Sequence, residues 1–153
     1  FGDKYPRNDG TTSLGDWMIA PKKLPNGIRP LIDLAHNNGM KFGIWIEPEM
    51  INPDSDLYRA HPEWCISCKD RTGSLSRSQY VLDFANPAVL DYLKKSFKET
   101  FDGVAIDYIK WDFNRHISEP GSPYLPADRQ DEATFRFMLG VYDLFYWFME
   151  SNI

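Results

Sequence analysis

The sequence predicts an α/β fold, read as two to three consecutive β/α units of a (β/α)8 TIM barrel, and three observations carry that prediction. Strand-like and helix-like segments alternate along the chain, which implies parallel β/α units joined by crossovers. Polar groups gather just beyond the two main strand-like segments, at 47–49 and 110–115, and β/α barrels place their chemistry at the C-terminal ends of their strands. No glycine-rich phosphate loop follows either strand, which disfavours a dinucleotide-binding fold. A closed barrel takes roughly 250 residues. The 153 residues here fall short of that, so the whole span, 1–153, is expected to be a fragment of one barrel domain.

The totals limit the partners. The chain is 42% hydrophobic and 15% aromatic, enough for a core. It carries 17 basic against 22 acidic residues, a net charge of -5, with no basic stripe, so nucleic acid is not an expected partner. No segment approaches the roughly 20 apolar residues that cross a bilayer, so neither is a membrane. The chain opens on Phe1 with no apolar leader, and we expect it to be a piece of a longer protein. Cys65 and Cys68 stand in Cys-x-x-Cys spacing without a second ligand pair, which is short of a structural zinc site. Two free thiols fit a reducing, cytoplasmic compartment better than a metal or redox role, and no metal or cofactor is expected.

Residues 1–27 read as an irregular segment, with Pro6, Asn8-Asp9-Gly10, Gly15, Pro21 and Asn26-Gly27 at short intervals. A loop this long is usually functional. Within it, Asp16 and Trp17 are either a turn with a packed indole or the wall of a cleft. Ile28, Leu31, Ile32 and Ala35 then follow helical spacing, with Asn26 as the expected cap and Gly39 at the C-terminal end. His36 reads as a solvated helix residue. Met40 to Ile46 reads as a buried strand that Pro48 ends. Trp45, Glu47 and Glu49 share a face if the chain stays extended. The two glutamates could be an acid/base pair, a metal site or structural acids, and a structural role is favoured for at least one.

Residues 52–64 suggest a short helix capped by Asp54 or Ser55. After a polar loop, Gln79 to Phe84 reads as a short strand, with Arg77 at its start. Asn86-Pro87 is a strong helix start, and Leu90, Leu93, Phe97 and Phe101 follow at helical spacing. Phe135, Met138, Leu139, Tyr142, Phe145, Tyr146 and Met149 give a final amphipathic helix, and that aromatic stripe is expected to be core.

Between these helices lies Asp107-Tyr108-Ile109-Lys110-Trp111-Asp112-Phe113-Asn114-Arg115. It starts as a strand after the Asp102-Gly103 turn. In an extended chain Lys110, Asp112 and Asn114 project to one side, with Trp111 and Phe113 on the other. A cation, a carboxylate and an amide backed by aromatics suit a site that binds and attacks a polyhydroxy ligand. The plainer alternative is a strand end with solvated charges and a local Lys-Asp pair, and such surface pairs contribute only about 0–1 kcal/mol.

Lys-Trp-Asp-x-Asn-Arg preceded by Asp-Tyr-Ile resembles the nucleophile motif of the family 36 glycoside hydrolases, the α-galactosidases. Phe1-Gly2, Ser13 to Trp17, Pro25-Asn26-Gly27, Gly39 to Trp45, Glu47 to Met50, Asp54 to Tyr58, His61 to Trp64 and Arg77-Ser78-Gln79 with Val81-Leu82-Asp83 resemble further segments of that family, in the same order. The resemblance implies a catalytic barrel in which Asp112 is the nucleophile of a retaining reaction on terminal α-galactosides, raffinose- or melibiose-like. It implies Lys110 and Asn114 on sugar hydroxyls, with Arg77 and Trp45 lining the galactose subsite and Lys110 keeping Asp112 ionised. It also implies a homo-oligomeric parent and a general acid/base outside this chain. Cys65 and Cys68 fall outside the matching segments. A non-catalytic galactoside-binding module, or a related α-N-acetylgalactosaminidase or galactosyltransferase, remains a competing expectation.

Overall fold

The computed structural model describes residues 10–69 and 71–151. The elements run α1 (Arg29–Asn37), β1 (Gly43–Ile46), β2 (Met50–Ile51), α2 (Asp56–Ala60), β3 (Tyr80–Val81), α3 (Pro87–Phe101), β4 (Tyr108–Trp111) and α4 (Ala133–Glu150), with 3-10 turns at Pro62–Trp64 and Ala127–Glu132. The expected match at Phe1-Gly2 lies outside the described residues.

Local chemistry sets most of the boundaries. Asn86 caps α3, its side chain accepting from the Ala88 N–H while Pro87 opens the helix. Ser55 caps α2 by accepting from the Tyr58 N–H. Asp54, the other candidate cap, pairs with Arg59 at 2.6 Å instead. Gly39 ends α1 at φ +69, its N–H bonding to the His36 carbonyl. The start of α1 differs from expectation. Ile28 occupies the cap position without a side-chain bond. Asn26 is taken up in the preceding turn, which the Gly27 N–H closes onto the Leu24 carbonyl.

β1 and β4 pair in parallel, Gly43 opposite Tyr108 and Ile46 opposite Trp111. The ladder runs past both ends, through the Asp107 N–H to the Phe42 carbonyl and the Asp112 N–H to the Ile46 carbonyl. This is the expected parallel pair, shorter at both N-terminal ends. β3 departs from the expectation, since it pairs antiparallel with β2, Met50 opposite Val81. The chain turns at Pro48 and Glu49, the Met50 N–H closing onto the Glu47 carbonyl, and β2 begins directly after that turn in a separate two-stranded sheet. The same turn breaks the alternation, and Glu47 and Glu49 do not share a face.

α3 buries Val89, Leu90, Leu93, Phe97 and Phe101 as its spacing predicts. α4 does not follow its prediction. Its buried residues are Ala133, Phe137, Gly140 and Leu144. Phe135, Leu139, Tyr142, Phe145, Tyr146 and Met149, expected as core, are exposed. α4 is apolar nearly all round, so spacing alone does not choose the packed face. Contact chooses it: Phe137 stacks on Phe84 at 5.3 Å, and Gly140 lies directly on the Phe84 backbone. Asp16 and Trp17 take the packed reading. Asp16 accepts from the Asp56 and Leu57 N–H groups at the start of α2, and Trp17 lies against Phe97. His36 is not simply solvated; its Nε2 meets Asp107 at 2.7 Å.

Candidate active site

The parallel pair ends at Ile46 and Trp111, and the residues just past those points make the site. β4 continues into Asp112, held by its main-chain bond to Ile46. The Asp112 Oδ2 accepts from the Trp45 indole N–H at 3.0 Å, and its Oδ1 lies 3.8 Å from the Lys110 ammonium. The carboxyl is held below its ordinary range by the Asn114 side chain first, then by the Trp45 N–H, and then by the Lys110 and Arg77 charges. The Lys110 charge acts in the expected direction, alongside the two neutral donors. Asp112 is therefore an ionised, half-exposed carboxylate.

Lys110, Asp112 and Asn114 come together as the alternation predicts. The Asn114 Nδ2 donates to the Glu47 Oε1 and to the Asp112 main-chain oxygen, both at 3.1 Å. Behind them Trp111 and Phe113 face the aromatic core through Phe84 and Phe137. Arg77 arrives from a separate segment. It sits on a two-residue turn closed by mutual Ser76 and Gln79 main-chain bonds. Arg77 and Ser78 both adopt left-handed φ, 53° and 58°. Without glycine there, each costs on the order of 1–3 kcal/mol, a strain kept only where surroundings over-determine it. Here the Asn52 amide donates to the Ser78 carbonyl at 2.7 Å. The Arg115 guanidinium donates to the Gln79 carbonyl at 2.6 Å and to the Ser74 carbonyl. The result sets the Arg77 Nη1 4.0 Å from the Glu47 Oε1.

The glutamates of the Pro48 turn diverge. Both are fully buried. Glu47 faces Asn114 and Arg77. Glu49 accepts from the Trp111 indole N–H at 2.6 Å on the core side. Burial pushes the Glu49 carboxyl up to about 7, against hydrogen bonding that lowers it. Among the described residues no cluster of His, Cys, Asp and Glu is arranged to hold a metal ion. Cys65 is a buried thiol pushed up to about 12 by burial, so it is not a ready nucleophile. It lines, with Cys68, Arg71 and Tyr80, a cleft of about 750 Å³ that none of the groups around Asp112 borders. Three functional contacts were not legible beforehand: the Trp45 N–H on Asp112, the Asn52 pin and the Arg115 bracket. The last had a partial signal, since Arg115 closes the motif.

The fold that carries this carboxylate is shared with solved GH36 α-galactosidases. The GH36 α-galactosidase AgaA of Geobacillus stearothermophilus superposes with a TM-score of 0.86 at 43% identity, covering 94% of this chain and 20% of that one. A doubly substituted form of that enzyme in complex with raffinose superposes at 0.85, again at 43% identity, over 92% of this chain and 20% of its own. By sequence, AgaA is 45% identical over 142 residues, 93% of this chain, and α-galactosidase 2 of Pediococcus pentosaceus is 45% identical over 138, 90% of this chain. The chain belongs to the Melibiase family, whose family model matches residues 1–151. It spans 19% of the length of each of these two curated relatives. Among the described residues no helix is long and apolar enough to cross a membrane.

Proposed function

We propose that the protein carrying this chain is a retaining α-galactosidase in which Asp112 is the nucleophile. The ionised Asp112 carboxylate carries this reading, set between Trp45, Lys110 and Asn114 with Arg77 facing it. Asp112 attacks the anomeric carbon of a terminal α-galactoside, raffinose- or melibiose-like, forming a covalent galactosyl ester as the bond to the leaving oxygen breaks. A second carboxyl group, roughly 5–5.5 Å from the first, protonates that oxygen and then activates the water that cleaves the ester with net retention. Neither Glu47 nor Glu49 suits that role, since both are buried and already bonded, Glu47 to the Asn114 amide and Glu49 to the Trp111 indole. The acid/base therefore comes from elsewhere in the full-length protein. Lys110 and Arg77 donate to sugar hydroxyls, the Asn114 side-chain oxygen accepts from one, and the exposed part of the Trp45 ring forms an apolar wall. No step requires a metal or cofactor.

Residues 1–153 are read as two to three β/α units, a fragment of a (β/α)8 catalytic barrel. Support comes from the parallel β1–β4 pair with its polar groups at the C-terminal ends. It also comes from a groove of about 480 Å³ between β4 and the Phe145, Phe148 and Met149 side of α4, which a neighbouring β/α unit would fill.

The test is trapping of the full-length protein with a fluorinated galactosyl donor, followed by digestion and peptide mapping. A label on Asp112, abolished in Asp112→Asn, is the expected result. Galactose binding without turnover or label, unchanged in Asp112→Ala, would instead establish a non-catalytic binding module.

A further inference from the structure

We infer that Glu47 is a positioning residue for this reaction, holding the Asn114 amide and the Arg77 guanidinium on either side of Asp112 without itself touching the sugar. The inference rests on reading Asp112 as the nucleophile. Glu47 follows directly on β1 and is fully buried even though much of the relatives' length is absent from this chain. A ligand in the cleft cannot reach a group that water does not reach. Burial of a carboxylate is costly unless its charge and lone pairs are satisfied. The partners that satisfy this one include the two groups that flank the nucleophile. The Glu47 Oε1 accepts from the Asn114 Nδ2 at 3.1 Å and lies 4.0 Å from the Arg77 Nη1.

The geometry of each partner explains why it needs holding. The Asn114 amide lies beside the Asp112 carboxyl and helps hold it below its ordinary range. An amide has two donors and one acceptor end, so it works only when turned the right way. The Glu47 oxygen and the Asp112 carbonyl both accept from Nδ2 and fix which end is which. Arg77 stands on a strained turn, and its side chain is 64% exposed. With that freedom, the buried Glu47 carboxyl 4.0 Å away gives the guanidinium its partner over the site. Pro48 makes the arrangement possible. By breaking the strand alternation it turns Glu47 to the site and Glu49 to the Trp111 indole, so two acids of one turn grip the two ends of the Trp111–Asn114 segment.

The experiment is a set of double-mutant cycles in the full-length protein, read by steady-state kinetics on an aryl α-galactoside. Glu47→Gln is nearly isosteric; it removes the carboxylate and replaces one of its acceptor oxygens by a donor NH2. In the wild-type background it is expected to lower kcat/KM about tenfold, chiefly through KM, because the groups it releases bind the sugar. In the Asn114→Ala and Arg77→Ala backgrounds the same change is expected to cost less than about threefold, since one partner is already gone. Glu47→Asp, which keeps the charge and shortens the reach, supplies the same cycle if the Gln variant unfolds. Equal cost in every background would mean a purely structural role and would overturn the inference. Fluorinated-donor labelling of the wild type separates the two readings. A label away from Asp112 removes the nucleophile assignment and this inference with it. A label on Asp112 with background-independent Glu47 costs removes this inference alone.

Discussion

Gly140 sits where α4 crosses the chain at Phe84, behind β4, and Gly140→Ala should loosen that crossing. A Cβ built there would stand 2.1 Å from the Phe84 carbonyl oxygen and 2.9 Å from the Phe84 carbonyl carbon and Cβ. Comfortable heavy-atom contact begins near 3.5 Å, so α4 must retreat by roughly 1.4 Å. The obstacle is backbone and cannot rotate away. Overpacking of this kind typically costs about 1–3 kcal/mol, and the rigid neighbour puts this case at the upper end. Helix propensity returns up to about 1 kcal/mol, because alanine is the better helix former. The net loss is then about 2 kcal/mol, felt first in the Phe84–Phe137 stack. Hydrogen exchange by mass spectrometry on the full-length protein reads it directly, since local opening free energies set amide exchange. Peptides covering 137–148 should exchange about 30-fold faster in the variant. Unchanged or slower exchange there would show that α4 does not bear on Phe84, and the packing account of this helix would fail.

Trp45→Phe keeps most of the ring and deletes the N–H that Asp112 accepts. That bond favours the charged carboxylate, so losing it raises the Asp112 pKa, and the acid limb of the kcat/KM profile of the full-length enzyme should move to higher pH. An unmoved limb would assign the ionisation to Asn114 and Lys110 alone. Glu49 gives a stability prediction of opposite sign from the usual carboxylate. Its folded-state pKa is raised from 4.5 to about 7, so it stabilises the fold fully below 4.5 and loses that contribution as pH rises through about 7. Across that window the loss amounts to about 3 kcal/mol. Glu49→Gln keeps an acceptor for the Trp111 N–H and removes the titration, so its melting temperature should gain on the wild type's between pH 4.5 and 8. A constant difference across that range would remove Glu49 as the titrating group.

How much of this was legible beforehand depended on whether a signal was local. Caps at Asn86 and Ser55 and the buried face of α3 follow from neighbouring residues, and they were readable. So was the convergence of Lys110, Asp112 and Asn114, because strand alternation is a two-residue rule. The packed face of α4 was not, since a helix apolar on most sides leaves the choice to a partner far away in sequence, here the Phe84 backbone. The antiparallel β2–β3 pair was hidden for a related reason. Pro48 announces that a strand ends but not where the chain goes next. The grip of Arg115 on the Ser74 and Gln79 carbonyls spans about 40 positions, and no spacing rule reaches that far.

That grip has a bearing on which changes the hairpin can absorb. Because Arg115 follows the same strand as Asp112 and clasps the Arg77 hairpin by its main chain, the clasp is independent of the side chains at the hairpin's base. Side-chain changes at Arg71 and Thr72 therefore leave it intact, and the Arg77 guanidinium keeps its seat over Glu47 whatever lines the neighbouring cleft.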